Sequence, residues 1–212
     1  MRRLPAGPTV GTYGKDNVRS MAKIVLASAS PRRQELLRRM GIGEFDVRVP
    51  QVEERCPAGL TEQQTVEYIS REKSDAAAAL CAPDEILLTA DTMVFLDGRR
   101  LGKPRDQADA LRMLLALQGR EHTVCTGVTV RRGADILTES ETTAVAFRSA
   151  SEAELRGYIR TGEPMDKAGA YGVQGLGALF VTGIRGDYYN VVGLPVEHLS
   201  RMLRRFGVTF FD

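Results

Sequence analysis

One junction limits what this chain can become. The apolar run Ile24-Val25-Leu26 is followed, across Ala27-Ser28-Ala29, by Ser30-Pro31-Arg32-Arg33-Gln34-Glu35-Leu36-Leu37. The first piece reads as a strand, Ser30 as an N-cap and Pro31 as the first helical residue. A strand feeding a helix is the unit of α/β folds. The junction also places two arginines on the first helical turn, beside backbone N–H groups that have no intrahelical partner. Helix N-termini favour anions, and two guanidiniums add charge in fork geometry. These residues predict a phosphate site made without the glycines of G-x-x-x-x-G-K-[ST], a pattern the sequence lacks.

The rest of the pattern extends this beginning. Strands are expected at 23–27, 45–49 and 85–90, the last continuing extended through 93–96, with helices at 31–40 and from a Thr61 cap to about residue 80. Asp97-Gly98 predicts a hairpin turn, and 106–118 a helix stopped by Gly119. Two long strands follow, 122–131 and 136–147. Ser151 with Glu154 predicts a capped helix over 152–161. A glycine-rich loop runs from Glu163 to Gly175, then a strand over 178–184 and a last helix up to Phe206. This order predicts an α/β fold: a mixed central sheet flanked by helices, in one domain of two lobes around a cleft. Residues 1–20 carry glycine, proline and arginine but no apolar stretch, so they read as a disordered extension, with residues 21–212 forming the domain and Met21 a plausible alternative start.

Composition closes off several functions. A chain of 212 residues can bury a full core. A net charge of +2 gives no argument for nucleic acid or an anionic membrane, and no apolar run is long enough to span a bilayer. Three scattered cysteines, Cys56, Cys81 and Cys125, fit reduced thiols of a cytoplasmic protein better than a disulfide framework or a zinc site. Only two histidines occur, neither at ligand spacing from another His or Cys.

Candidate chemistry gathers on charged residues. Asp91 falls at the C-terminal end of a buried-looking strand, the edge where open α/β sheets bind ligands. Glu53 and Asp91 supply hard oxygen ligands suited to a divalent cation, Mg2+ or Mn2+. Arg32, Arg33, Lys73 and Lys103 supply cations for phosphate oxygens. Glu53 and Glu54 read equally as a solvated acidic loop, and Lys73 has the alternative of a surface residue paired on its helix, whereas Gly102-Lys103-Pro104 fixes its lysine in a tight loop. Phosphate ester chemistry needs both signs: cations for the developing charge and a carboxylate to orient or deprotonate water. The four glycines of 169–177 would let backbone approach a flat ligand, and the amide of Gln174 suits a base edge. Arg201, Arg204 and Arg205 fit a solvated helix face.

With these pieces in place, the chain resembles the Maf-type nucleoside triphosphate pyrophosphatases from about Lys23 to Phe206. The resemblance rests on 26–37, Val52-Glu53-Glu54, Arg71-Glu72-Lys73, Ala90-Asp91-Thr92, Gly102-Lys103-Pro104, 166–175 and 186–195. It implies a fold similar to the inosine triphosphate pyrophosphatases and a metal-aided hydrolysis of nucleoside triphosphate to monophosphate and pyrophosphate. Asp91 matches the general base. Ser30, Arg33, Glu53, Lys73 and Lys103 match polar positions around phosphates and metal. Arg32, Thr92 and Gln174 match positions tied to substrate choice, in the form seen in the branch acting on dTTP and UTP. Homodimerisation is implied at the family level. Two other readings stay open at this point: a nucleotide- or nucleic-acid-binding regulator of septum formation without catalysis, and a pyrophosphatase for inosine or xanthosine triphosphate.

Overall fold

The computed structural model describes residues 18–20, 22–52 and 56–211. Residues 1–17 of the expected extension, Met21 and Glu53 lie outside the described residues.

Strand β1 (Val18–Arg19) pairs antiparallel with β9 (Thr209–Phe210). Residues 18–19, expected in a disordered extension, are therefore held to the far end of the chain. Strand β2 (Ile24–Leu26) leads into helix α1 (Pro31–Arg39), with Gly41 at φ +88 past its end. Next come β3 (Asp46–Val47) and α2 (Glu62–Ala78). The Thr61 side chain accepts from Gln64 N, and the Gln64 side chain answers the Thr61 N–H, so the cap read from the sequence is a full capping box. Strand β4 (Ile86–Leu96) turns at Asp97-Gly98, both at positive φ, into β5 (Arg99–Leu101).

Helix α3 (Gln107–Leu117) precedes the long strands β6 (Glu121–Arg132) and β7 (Asp135–Phe147). Then come α4 (Glu152–Ile159), three short 3-10 turns over 163–166, 168–170 and 176–180, β8 (Val181–Arg185), α5 (Tyr188–Val192) and α6 (Val196–Arg204). The strand expected from 178 starts at 181, because Gly175–Phe180 coil into a turn around a side chain described below.

Seven strands form one sheet in the order β3-β2-β4-β6-β7-β8, with β5 beside β4. Pairing is parallel among β3, β2 and β4, and antiparallel elsewhere. The fold is thus mixed α/β, as expected. Alternation along β4 sorts its side chains to two faces. Ile86, Leu88 and Ala90 join one apolar core with Leu36 and Leu37 of α1 and Leu199, Met202 and Leu203 of α6. On the same face, Val94 and Leu96 join a second core with Leu111 and Leu114 of α3 and Leu155 of α4. These two cores are the two lobes, and they share β4, β6 and β7. Helix α2 covers the opposite face, where Val66 meets Phe95 and Cys125, and Ala77 meets Leu87.

The contact of α2 with the sheet depends on one glycine. A Cβ at Gly127 of β6 would fall on the Val66 carbonyl and lie 2.7 Å from Glu67 N. Only hydrogen lets the helix backbone settle there. Below it a ladder of buried hydroxyls joins helix to sheet: Ser70 Oγ lies 2.9 Å from Thr129 Oγ1, and Thr89 Oγ1 donates to Ser70 O at 2.7 Å.

Candidate active site

The sheet contains a gap, and the gap makes the cleft. Parallel pairing of β4 with β2 ends at Leu88, opposite Leu26. Antiparallel pairing of the same edge with β5 begins only at Val94, opposite Leu101. Between them the edge of β4 from Ala90 to Met93 has no strand beside it among the described residues. The other edge stays paired, with Asp91 opposite Gly127. A cavity of about 650 Å³ opens at this gap, lined by 27–33, Lys73, 90–94, Gly102, Lys103, 166–168, 171–175 and 191–193. Every described residue proposed from sequence as a site residue (Ser30, Arg32, Arg33, Lys73, Asp91, Thr92, Lys103 and Gln174) is in its wall.

Asp91 and Thr92 are neighbours on opposite faces of β4, and each is reached from a different helix. On the α2 side, Lys73 Nζ lies 2.6 Å from Asp91 Oδ1. Lys73 is seven residues beyond Val66, two turns along the same helix face, so the seat at Gly127 sets its position. Of its two readings, the surface one is overturned: its side chain is 18% exposed and pairs with Asp91 rather than with a helix neighbour. Asp91 is 6% exposed, and its Oδ2 is buried with no hydrogen-bond partner among the described residues.

On the α1 side, Arg33 donates to Gly193 O at 2.9 Å, Ser28 Oγ at 3.2 Å and Thr92 Oγ1 at 3.0 Å. Thr92 Oγ1 also lies 2.9 Å from Thr126 Oγ1, and Thr126 donates to Asn190 O. Asn190 is fully buried and donates to Val124 O and Thr143 Oγ1, tying α5 to both long strands. One chain of hydrogen bonds therefore fixes the first turn of α1 against α5 and β4. Ser30 is the N-cap residue, as expected, and its carbonyl accepts from Gln34 N at 3.3 Å, but its side chain makes no capping hydrogen bond. The start of α1 therefore meets the cleft without a side chain across its N–H groups.

Across the cleft, Arg32 Nη1 lies 3.3 Å from Asp166 Oδ2, and Lys167 Nζ lies 2.6 Å from Asp166 Oδ1. Lys167 also donates to Glu163 O at 2.7 Å. Sequence reasoning missed both Asp166 and Lys167 as cleft charges, although their adjacency before the glycines was visible. Lys103 is exposed and makes no ion pair with described residues; Gly169 N donates to Gly102 O beside it and ties its loop to the far lobe.

The glycines of 169–177 have a packing use besides the one expected of them. An added Cβ at Gly175 would lie 2.5 Å from Glu163 Oε2, at Gly172 2.6 Å from Lys167 Cε, and at Gly177 2.8 Å from Gly172 N. They make room for the protein's own side chains and backbone. Gln174 is exposed at the rim of the cavity they shape.

Comparison with known proteins fits this geometry. The family model described as "Maf-like protein" matches residues 23–206. The chain belongs to the Maf family. Among curated relatives, the dTTP/UTP pyrophosphatase of Symbiobacterium thermophilum is 48% identical over 191 residues, covering 90% of this chain and 97% of that protein. That of Vibrio cholerae is 49% identical over 187 residues, covering 88% of this chain and all of that protein. That of Moorella thermoacetica is 49% identical over 191 residues, covering 89% and 97%. The matched span of this Maf chain contains every proposed site residue, including Glu53. Among its described residues no helix is long and apolar enough to cross a membrane, and no cluster of three or more His, Cys, Asp or Glu side chains is placed to hold a metal.

Proposed function

We propose that this chain hydrolyses dTTP and UTP to the monophosphate and pyrophosphate, with water attacking the α-phosphorus and pyrophosphate leaving. The observation that carries the reading is the Lys73–Asp91 pair in the gap of the sheet. Lys73 holds Oδ1, Oδ2 is buried with no hydrogen-bond partner among the described residues, and the carboxylate stands in a cleft whose wall also carries Arg32, Arg33, Lys103 and Lys167. A carboxylate so held takes the proton of an attacking water, a role worth about 10²–10⁴ in rate. Arg32, Lys103 and the open first turn of α1 bind the phosphate oxygens, and the bound Arg33 holds that turn in place. The substrate class is carried over from the relatives named above, whose sequences align across the whole site.

A divalent cation, Mg2+ or Mn2+, fits the orphaned Asp91 Oδ2 as one hard oxygen donor, and Glu53 is the second donor in this reading. When bound, such an ion neutralises phosphate charge. Each carboxylate oxygen has two lone pairs, so Asp91 is able to serve ion and water together.

Gln174 is the residue proposed to read the base, its neutral amide pairing with the carbonyl and N–H edge of uracil or thymine. A panel of triphosphates assayed for pyrophosphate release tests both statements. Wild type should favour dTTP and UTP, and Gln174→Glu should lose about tenfold or more in kcat/KM for them, the scale of one lost hydrogen bond to the base. A wild type inert on every triphosphate would overturn the enzymatic reading, and an unchanged preference in the variant would remove Gln174 from base selection.

A further inference from the structure

Gln174 sits in a segment with little to hold it. It lies in a tight turn, Gly175 N bonding back to Gly172 O at 3.3 Å, with no strand or α-helix around it. What fixes the segment is a pair of side chains from outside. Glu163, in the first 3-10 turn, accepts from Leu176 N at 2.8 Å on Oε2. Its Oε1 accepts from Gly177 N at 3.0 Å and from the Tyr158 hydroxyl at 2.9 Å. Tyr158, at the end of α4, in turn accepts from Gly172 N at 3.2 Å. The anchor points are thus 172 on one side of Gln174 and 176–177 on the other. Gly175 and Gly177 are glycines because the Glu163 carboxylate and the Gly172 backbone fill the space a side chain would need.

We propose that Glu163, with Tyr158, is a positioning residue for base recognition: its carboxylate clamps the 172–177 turn so that Gln174 is presented to the cleft in one place. The inference rests on the reading of Gln174 given above. Burial on its own would raise the Glu163 carboxyl, but the N–H groups of Gly177 and Leu176 and the Tyr158 hydroxyl outweigh it and hold the carboxyl below its ordinary value. Glu163 thus meets its three donors as a carboxylate, the stronger form of acceptor. Neither Glu163 nor Tyr158 is in the wall of the cavity, so neither touches the nucleotide.

Glu163→Gln and Tyr158→Phe test the clamp with little change of volume. In the first, an amide NH2 faces a backbone N–H and one acceptor is lost; in the second, the hydroxyl linking Glu163 to Gly172 is lost. Both variants should raise KM for dTTP and UTP about tenfold, lower kcat less, and narrow the preference for those substrates over purine triphosphates. Inorganic tripolyphosphate, which has phosphates but no base, should inhibit wild type and variants alike, within about twofold. A merely structural role would weaken tripolyphosphate in step with dTTP, and that result overturns the proposal. So does a wild-type KM and preference in either folded variant. If wild type prefers another base, the substrate reading fails, and the clamp is still tested on the base it does prefer.

Discussion

Asp91 and Lys73 are an unequal pair. The lysine is half-buried and holds Oδ1; the carboxylate is buried, and its other oxygen has no hydrogen-bond partner among the described residues. Breaking such a pair by removing one partner typically costs about 3–5 kcal/mol, so its presence beside the cleft is not neutral decoration. A second buried titratable side chain, His122, has no part in this chemistry. Its Nε2 lies 2.8 Å from the Tyr171 hydroxyl, and its ring packs edge-on against Phe147 and Tyr171. Burial pushes the imidazole down from its ordinary 6.5 to about 4. An unfolded chain takes up that proton at the ordinary value, so between the two values acid favours unfolding. Stability that is full above about pH 6.5 is lost as pH falls towards about 4. Denaturant unfolding should show wild type losing about 2 kcal/mol from this group between about pH 7.5 and about pH 5. The His122→Asn variant, less stable throughout, should lose that much less over the same range. Parallel losses in the two proteins would show that His122 does not set the slope.

At the scale of elements, the site depends on how α2 lies on the sheet. Gly127→Ala forces a methyl against the Val66 carbonyl and lifts the helix that carries Lys73. We expect about 1–3 kcal/mol of destabilisation, seen in a melting curve, and a fall in kcat that exceeds any rise in KM. A variant with wild-type melting and turnover would mean that the seat at Gly127 does not set the Lys73–Asp91 distance. Elements were the part of this structure most legible in the sequence, for a local reason. Thr61, and Ser151 with Glu154, cap helices within four residues, and Asp97-Gly98 turns a hairpin within two. Such signals need no knowledge of the fold. Ser30 marked the start of α1 correctly, although its hydroxyl is left out of the cap. Residues 178–180 were read as strand because what coils the 176–180 turn is Glu163, thirteen residues before Leu176.

At the scale of the whole molecule, the site is a place where the sheet is interrupted. Which edge of β4 lacks a neighbour follows from where β2 stops and β5 starts, and pairing register is not written in either strand alone. Sequence therefore named the cleft's residues without showing why they meet. Charges were legible where they stood in short motifs, as in Gly102-Lys103-Pro104. Asp166 was not, because its partner Arg32 is over 130 residues away, and Lys167, paired with Asp166, was hidden with it. The packing use of the glycines of 169–177 was not legible, since their neighbours are protein atoms that only folding brings near. The basic face of α6 proved to be laced with acids: Arg201 pairs with Glu197, and Arg205 lies 3.8 Å from Glu139. This is the solvated face expected of it.

In the proposed function the Asp91 carboxylate accepts the proton of the attacking water. The direct test is steady-state pyrophosphate release from dTTP by wild type and Asp91→Asn, with melting curves taken alongside. The substitution keeps shape and removes the base, so kcat should fall about 10²–10⁴-fold while the folded state persists. An Asp91→Asn protein that turns over dTTP at close to the wild-type rate would contradict the account.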